Sequence, residues 1–232
     1  AYLKSIRISE SVLSENHDDT LLTISDLSLF YMKQEAYEKA VPWLQRLRLG
    51  HEMNRGSDGE ETVQAALGLA VTLAKLDRHD EAVEPFEVVY QFHKNKFGIG
   101  SKRSIETFLK MAKNLYDAKR SQELFEIYDT ILEEFKQANL SGTRIEWTTL
   151  RFRSRRAREL ITLGQVDEGI NELTKVFELQ ERFEGIDGRD FRKLLRSTAG
   201  RLIKAYQKRD DEAMVERWKA AYDQYREPKP GK

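Results

Sequence analysis

Five arginines crowd one short stretch, LRFRSRRAREL, at Arg151, Arg153, Arg155, Arg156 and Arg158. A guanidinium is planar and always charged, and its forked donors match a carboxylate or phosphate with two parallel hydrogen bonds. Such a cluster could recognise an acidic or phosphorylated partner. Arginine is also a good helix former whose stem covers apolar surface, and a run of charge is more often a solvated or internally paired face. Both readings stay open at the level of sequence.

No other constellation carries chemistry. His17, His51, His79 and His93 fall in or near linkers and helix ends, and no two have the four-residue spacing of a helical zinc site, so they read as surface histidines. The chain has no cysteine, which excludes a thiol nucleophile, a disulfide framework and any cysteine-ligated metal. Glu60-Glu61 and Glu133-Glu134 could pass for acid/base pairs, but neighbours on a helix point in different directions. No glycine-rich phosphate loop follows a strand. The expectation is therefore no catalytic residue, no metal, no cofactor and no enzyme. Trp43 and Trp218 sit in apolar helical patterns and read as packing residues.

Charge and hydropathy narrow the class further. Charged residues make up 34% of the 232 and balance at 39 basic against 39 acidic, so no overall field draws the chain to nucleic acid or an anionic membrane. No apolar run approaches the ~20 residues that span a bilayer. A cytoplasmic protein with neither nucleic acid nor membrane as partner is expected. With 4 prolines and 13 glycines among abundant Leu, Ala, Glu, Lys and Arg, the class is all-α.

The elements that must position the arginines are helices, and they repeat. In LSLFYMKQEAYEKAVPWLQRL, Leu27, Ser28 and Tyr31 share one helical face, and after a short turn Tyr37, Ala40, Leu44 and Leu47 share another. Variants of this hairpin return. Its second-helix reference position is Ala40, Ala82, Leu124, Gly169 and Val215, spaced 42, 42, 45 and 46 residues apart. The first helices place Ser28, Ala70, Ala112 and Ala157 after a larger residue, and the fifth has Ile203. Self-similarity at this period signals a right-handed α-solenoid of stacked helix-turn-helix hairpins. The expected units are roughly 20-62, 63-104, 105-146, 147-191 and 192-222, preceded at 1-19 by the second helix of a truncated repeat and its linker, and followed by a tail at 223-232. A start at Ala1 rather than methionine suggests a piece of a longer protein. Gly56, Gly98 and Gly185, in matching linkers, are expected to end helices in left-handed geometry, and Pro42 and Pro85 to fall in the first turn of second helices.

The hairpins LSLFYMKQEAYEKAVPWLQRL and LGLAVTLAKLDRHDEAVEPFEVV, at this period and with a linker such as SENHDDT, resemble the long tetratricopeptide repeats of kinesin-light-chain type. The ending RLIKAYQKRDDEAMVERWKAAY is similar to the final repeat of tetratricopeptide arrays attached to bacterial serine/threonine kinases. The resemblance implies a concave groove, lined by first helices, that binds a protein or peptide. Carried onto this chain, the groove would comprise Leu22, Ser25, Leu29 and Met32; Gln64, Leu67, Val71 and Ala74; Glu106, Leu109, Lys113 and Tyr116; and Arg151, Ser154, Arg158 and Ile161. Where members of the family often carry a groove asparagine, this chain has Asp26, Gly68, Lys110 and Arg155. The groove would run from apolar to basic and suit a peptide with a hydrophobic anchor and an acidic or phosphorylated end. The leading expectation is a non-catalytic protein-interaction scaffold within a larger signalling or regulatory protein. The alternatives are a structural spacer or self-association segment, and a sensor module regulating an attached kinase domain.

Overall fold

The computed structural model describes residues 1–182 and 188–225, so Gly185 and the expected tail beyond Tyr225 lie outside the described residues. Eleven helices and no strand occur among the described residues. They fall into two compact units, Ala1–Lys119 and Arg120–Lys232.

Unit 1 holds α1 (Tyr2–Val12), α2 (Asp18–Lys33), α3 (Tyr37–Arg55), α4 (Glu60–Lys75), α5 (His79–Phe97) and α6 (Lys102–Asp117). Each packs on the next along the chain. The pattern of large and small residues explains why. Leu27 and Ser28, Leu69 and Ala70, and Met111 and Ala112 are all buried, and the small member of each pair leaves room for a neighbouring helix. Ile6 of α1 joins Leu21, Ile24, Leu27, Leu47 and Ala65 in one cluster, with Trp43 and Tyr31 against it. A hydroxyl latch recurs at the start of each first helix: Thr20 donates to the Ser14 carbonyl (2.8 Å), Thr62 to Gly56 (2.9 Å) and Ser104 to Gly98 (2.8 Å). These buried hydroxyls stand 42 residues apart and tie each linker to the helix it introduces.

Unit 2 holds α7 (Ser121–Gln137), α8 (Thr143–Thr162), α9 (Val166–Glu181), α10 (Gly188–Gln207) and α11 (Glu212–Gln224). Its helices also pack in sequence, and α8 additionally meets α10. Ala157, Leu173, Phe177, Leu195, Leu202 and Trp218 share a core in which the Phe177 and Trp218 rings meet edge-on at 5.1 Å. Gly169 is required: a Cβ there would lie 2.5 Å from Ile161 Cγ1 and 2.8 Å from the Ala157 carbonyl oxygen, so α9 crosses α8 at a distance only glycine permits.

One expectation is corrected and another is extended. Pro42 and Pro85 lie inside α3 and α5, beyond the first turn, because those helices begin at Tyr37 and His79. Each removes an intrahelical amide donor rather than filling a position where none is needed. The left-handed turns also extend past the linkers. Gly56 and Gly98 do adopt positive φ (+81° and +82°), but so do Glu35, Asp77, Lys119, Gly164 and Asp210, each in the turn that follows a first helix. Only one of those five positions is glycine, so the hairpin turn imposes αL on ordinary side chains at the repeat period.

Candidate functional site

The first helices place the predicted groove residues on distinct surfaces in the two units. In unit 1, Leu22, Ser25, Leu29 and Met32 follow one another by three or four residues along α2 and open onto a cavity of about 530 Å³, with Gln64 of α4 on its other side. Leu44, Leu47 and Ala65 supply more of the apolar lining. Leu22 and Leu29 keep 64% and 49% of their surface exposed, an unusual state for leucines that share a concave wall.

One end of this cavity is charged. Arg55 holds both Asp18 oxygens at 2.9 and 3.0 Å and approaches Glu61 at 3.3 Å. The Arg55 guanidinium keeps the Asp18 carboxyl below its usual range. His51 completes this end, with Nδ1 buried and without a hydrogen-bond partner among the described residues. Burial, followed by the nearby Arg55, pushes its pKa below that of an ordinary imidazole. The lining therefore offers apolar contact to a side chain and charged hydrogen-bonding groups to a backbone or polar neighbour.

The remaining groove positions of unit 1 are not gathered here. Leu67 packs with Val63, Ala66 and Val89, and Val71 is half-buried along α4 without lining the cavity. Lys113 and Tyr116 are exposed on α6, where Lys113 pairs with Asp117 one turn on. His17 is exposed as expected, but His79 and His93 differ from their expected surface role. His93 Nδ1 meets Thr107 Oγ1 at 2.9 Å and His79 Nδ1 meets Asn114 Oδ1 at 2.9 Å, so both join α5 to α6. His51, His93, Phe135 and Gln180 each stand eleven residues after the reference position of their hairpin. That register was visible in the sequence as a second 42-residue spacing between histidines, and it marks a packing position.

In unit 2 the arginine cluster divides by helix face. Arg153 is paired with Glu172 of α9 (2.7 Å), and Arg156 with Asp129 of α7 (2.8 Å) while stacking 4.7 Å from the Phe125 ring centre. The cation-on-ring contact explains how an arginine fills a position that is apolar in other copies. Arg151, Arg155 and Arg158 share the opposite face. Arg155 donates to the Tyr128 hydroxyl at 3.3 Å, and Arg158 contacts Glu159, a carboxylate with only 1% of its surface exposed. A residue outside the predicted groove joins them: Arg201 of α10 donates to Ser154 Oγ at 2.5 Å, and Ser154 meets Thr198 at 3.2 Å. Arg201 occupies the same repeat position as Asp26, Gly68, Lys110 and Arg155, so continuing that series into the fifth hairpin would have found it.

Burial, then the charges of Arg158 and Arg155, lower the Arg201 pKa to about 10. Burial and Arg155 likewise lower that of Arg151, with Asp190 acting in the opposite sense. Among the described residues no cluster of His, Asp or Glu could hold a metal, and no helix is long and apolar enough to cross a membrane.

Comparison with known proteins identifies the kind of repeat in the first part of the chain. Residues 19–95 match the tetratricopeptide repeat family. Over that stretch, from α2 to α5, the helical hairpins match tetratricopeptide repeats. Among solved structures, the nearly identical TPR-like repeats of a protein designated a kinesin light chain from Podosopora anserina align over 91% of this chain and 99% of theirs, at 17% identity and a TM-score of 0.57. BtubC (BKLC) from P. vanneervenii aligns over 100% of this chain and 92% of its own, at 17% identity and a TM-score of 0.55. At that identity the likeness speaks for the fold. No curated protein sequence matches the chain. Tetratricopeptide repeats generally mediate protein–protein interaction and belong to non-catalytic scaffolds, and that coarse role is the one the family match supports.

Proposed function

We propose that this tetratricopeptide chain is a peptide-binding scaffold whose unit 1 cavity seats an apolar side chain of an extended protein segment. The observation that carries the reading is the convergence of Leu22, Ser25, Leu29, Met32 and Gln64 on a single cavity, with two half-exposed leucines in its wall. Affinity would come from burying those leucines, worth about 25 cal/mol for each Å² of apolar surface removed from water before the costs of association. The basic face of unit 2 would favour acidic or phosphorylated segments. Within a larger signalling protein, such a scaffold would hold a partner near the rest of the polypeptide.

The test is selection of displayed peptides on the wild-type protein and on Leu22→Glu/Leu29→Glu, a double variant at exposed positions that circular dichroism should show equally helical. Peptides with an apolar anchor should be enriched on the wild type and lost from the variant. Equal enrichment on both would remove the cavity from the reading. A second reading, self-association, draws on α1 and the residue that ends it, where Leu3, Ile8, Val12 and Leu13 are exposed. A solution mass that rises with concentration and reverts in Ile8→Glu/Val12→Glu would favour it.

A further inference from the structure

Four arginines of unit 2 converge on one place. Arg151, Arg155 and Arg158 lie one turn apart on α8, and Arg201 reaches the same surface from α10 through Ser154. The described hydrogen bonds of Arg155 and Arg201 go to hydroxyls, which leave the guanidinium charge uncompensated. Of the four, Arg158 contacts the Glu159 carboxylate and Arg151 feels that of Asp190, so the surplus of two positive charges is carried by Arg155 and Arg201, whose described hydrogen bonds go to hydroxyls. On the other faces of α8, Arg153 and Arg156 are matched one to one by Glu172 and Asp129. A protein that only needed these arginines for solubility would not turn the surplus inward, because burying like charges together is costly.

We propose that the α8–α10 face binds a phosphoryl dianion, held by the forked donors of Arg155 and Arg201 and flanked by Arg151 and Arg158. A dianion cancels the surplus of two, and its three acceptor oxygens can take donors from two helices at once, which a carboxylate with two oxygens does less well. The depressed basicity of Arg201 agrees with this arrangement: burial and the neighbouring charges of Arg158 and Arg155 outweigh the help it receives from Tyr128 and Glu159. The inference rests on the scaffold reading only where the dianion is a phosphorylated side chain of a protein segment. Free phosphate would satisfy the same chemistry.

The experiment is isothermal titration of the full chain with inorganic phosphate near pH 8, where most of the phosphate is the dianion, with ionic strength held constant by chloride. Saturable one-to-one binding is expected, weakened at least tenfold in Arg155→Gln and Arg201→Gln and changed less than twofold in Arg153→Gln and Arg156→Gln. If Arg201→Gln fails to fold, Arg155→Gln decides alone. A peptide with one phosphoserine and neutral flanks identifies the source: tighter binding than phosphate points to a phosphorylated protein, and equal binding points to free phosphate. Absence of saturation with both probes overturns the proposal, as does equal loss in the Arg153 and Arg155 variants. A glutamate peptide binding as well as the phosphoserine peptide also overturns it, in favour of a plain carboxylate site. A single-stranded oligonucleotide that outcompetes both, with steep salt dependence, would replace it with nucleic-acid binding. If both phosphate and the phosphoserine peptide fail while peptides selected on the unit 1 cavity still bind, the dianion falls and the scaffold stands. If phosphate binds while no peptide is selected on that cavity, the dianion stands and the scaffold falls.

Discussion

In repeat register, Leu22, Asp26 and Leu29 of α2 correspond to Arg151, Arg155 and Arg158 of α8. One surface became an apolar wall with half-exposed leucines, the other a basic face with surplus charge. The supporting positions changed with them. Unit 1 keeps a strict 42-residue period, small alanines at Ala40 and Ala82, and a hydroxyl latch at each linker. In unit 2 the corresponding hydroxyl, Thr149, bonds back to Ile145 within its own helix, and the small residue is reduced to Gly169. A repeat can thus exchange its groove chemistry while its packing contacts are rebuilt nearby. The two units should therefore respond differently to equivalent changes.

The largest difference is expected at the reference small residue. Gly169→Ala forces a Cβ against the Ala157 carbonyl oxygen, which cannot move as a side chain can, and should destabilise unit 2 by about 2–3 kcal/mol. Ala40→Gly in unit 1 should cost only about 1 kcal/mol, through helix propensity. Urea unfolding measures both, and equal losses would show that the units do not differ in how closely their helices approach.

Next come the buried polar groups. Both amide atoms of Gln180, a fully buried residue, lack hydrogen-bond partners among the described residues. Its repeat counterpart Phe135 is apolar and buried. Gln180→Leu should therefore stabilise unit 2 by about 1–2 kcal/mol, the desolvation penalty of an unmet amide. Arg201→Met should stabilise in the same direction while weakening phosphate, because replacing a poorly compensated buried charge by an apolar chain removes a cost. Destabilisation by either substitution would mean that the polar atom is satisfied in solution.

A smaller effect belongs to the hairpin turns. Gly164→Ala places a Cβ at φ +91° and should cost about 1 kcal/mol, whereas Asp77→Gly at φ +56° should be neutral or stabilising by up to about 1 kcal/mol. Thermal unfolding separates the two signs.

The smallest is a pH dependence confined to unit 1. His51 and His93 have folded pKa values lowered chiefly by burial. The unfolded chain then binds more protons than the folded one as pH falls toward and below the ordinary imidazole range. Stability present above that range should decline between about pH 7 and 5. His51→Phe/His93→Phe, copying Phe135, should flatten this decline as followed by denaturant midpoints, and an unchanged slope would assign it to other groups.

Composition, helical spacing and the return of one paragraph at 42 residues were enough to establish an all-α repeat chain, because burial periodicity and repeat packing are local properties written into every hairpin. Leu22, Ser25, Leu29 and Met32 could be placed together for the same reason, since residues three or four apart on one helix share a face whatever surrounds them, and Gln64 stands one 42-residue repeat after Leu22. Which arginines in LRFRSRRAREL are matched by carboxylates of neighbouring helices was beyond the sequence, since Glu172, Asp129 and Arg201 arrive from other helices. The left-handed turns at Glu35, Asp77 and Asp210 were equally hidden. Charge compensation and backbone strain depend on which groups are brought within a few ångströms, and only tertiary packing decides that.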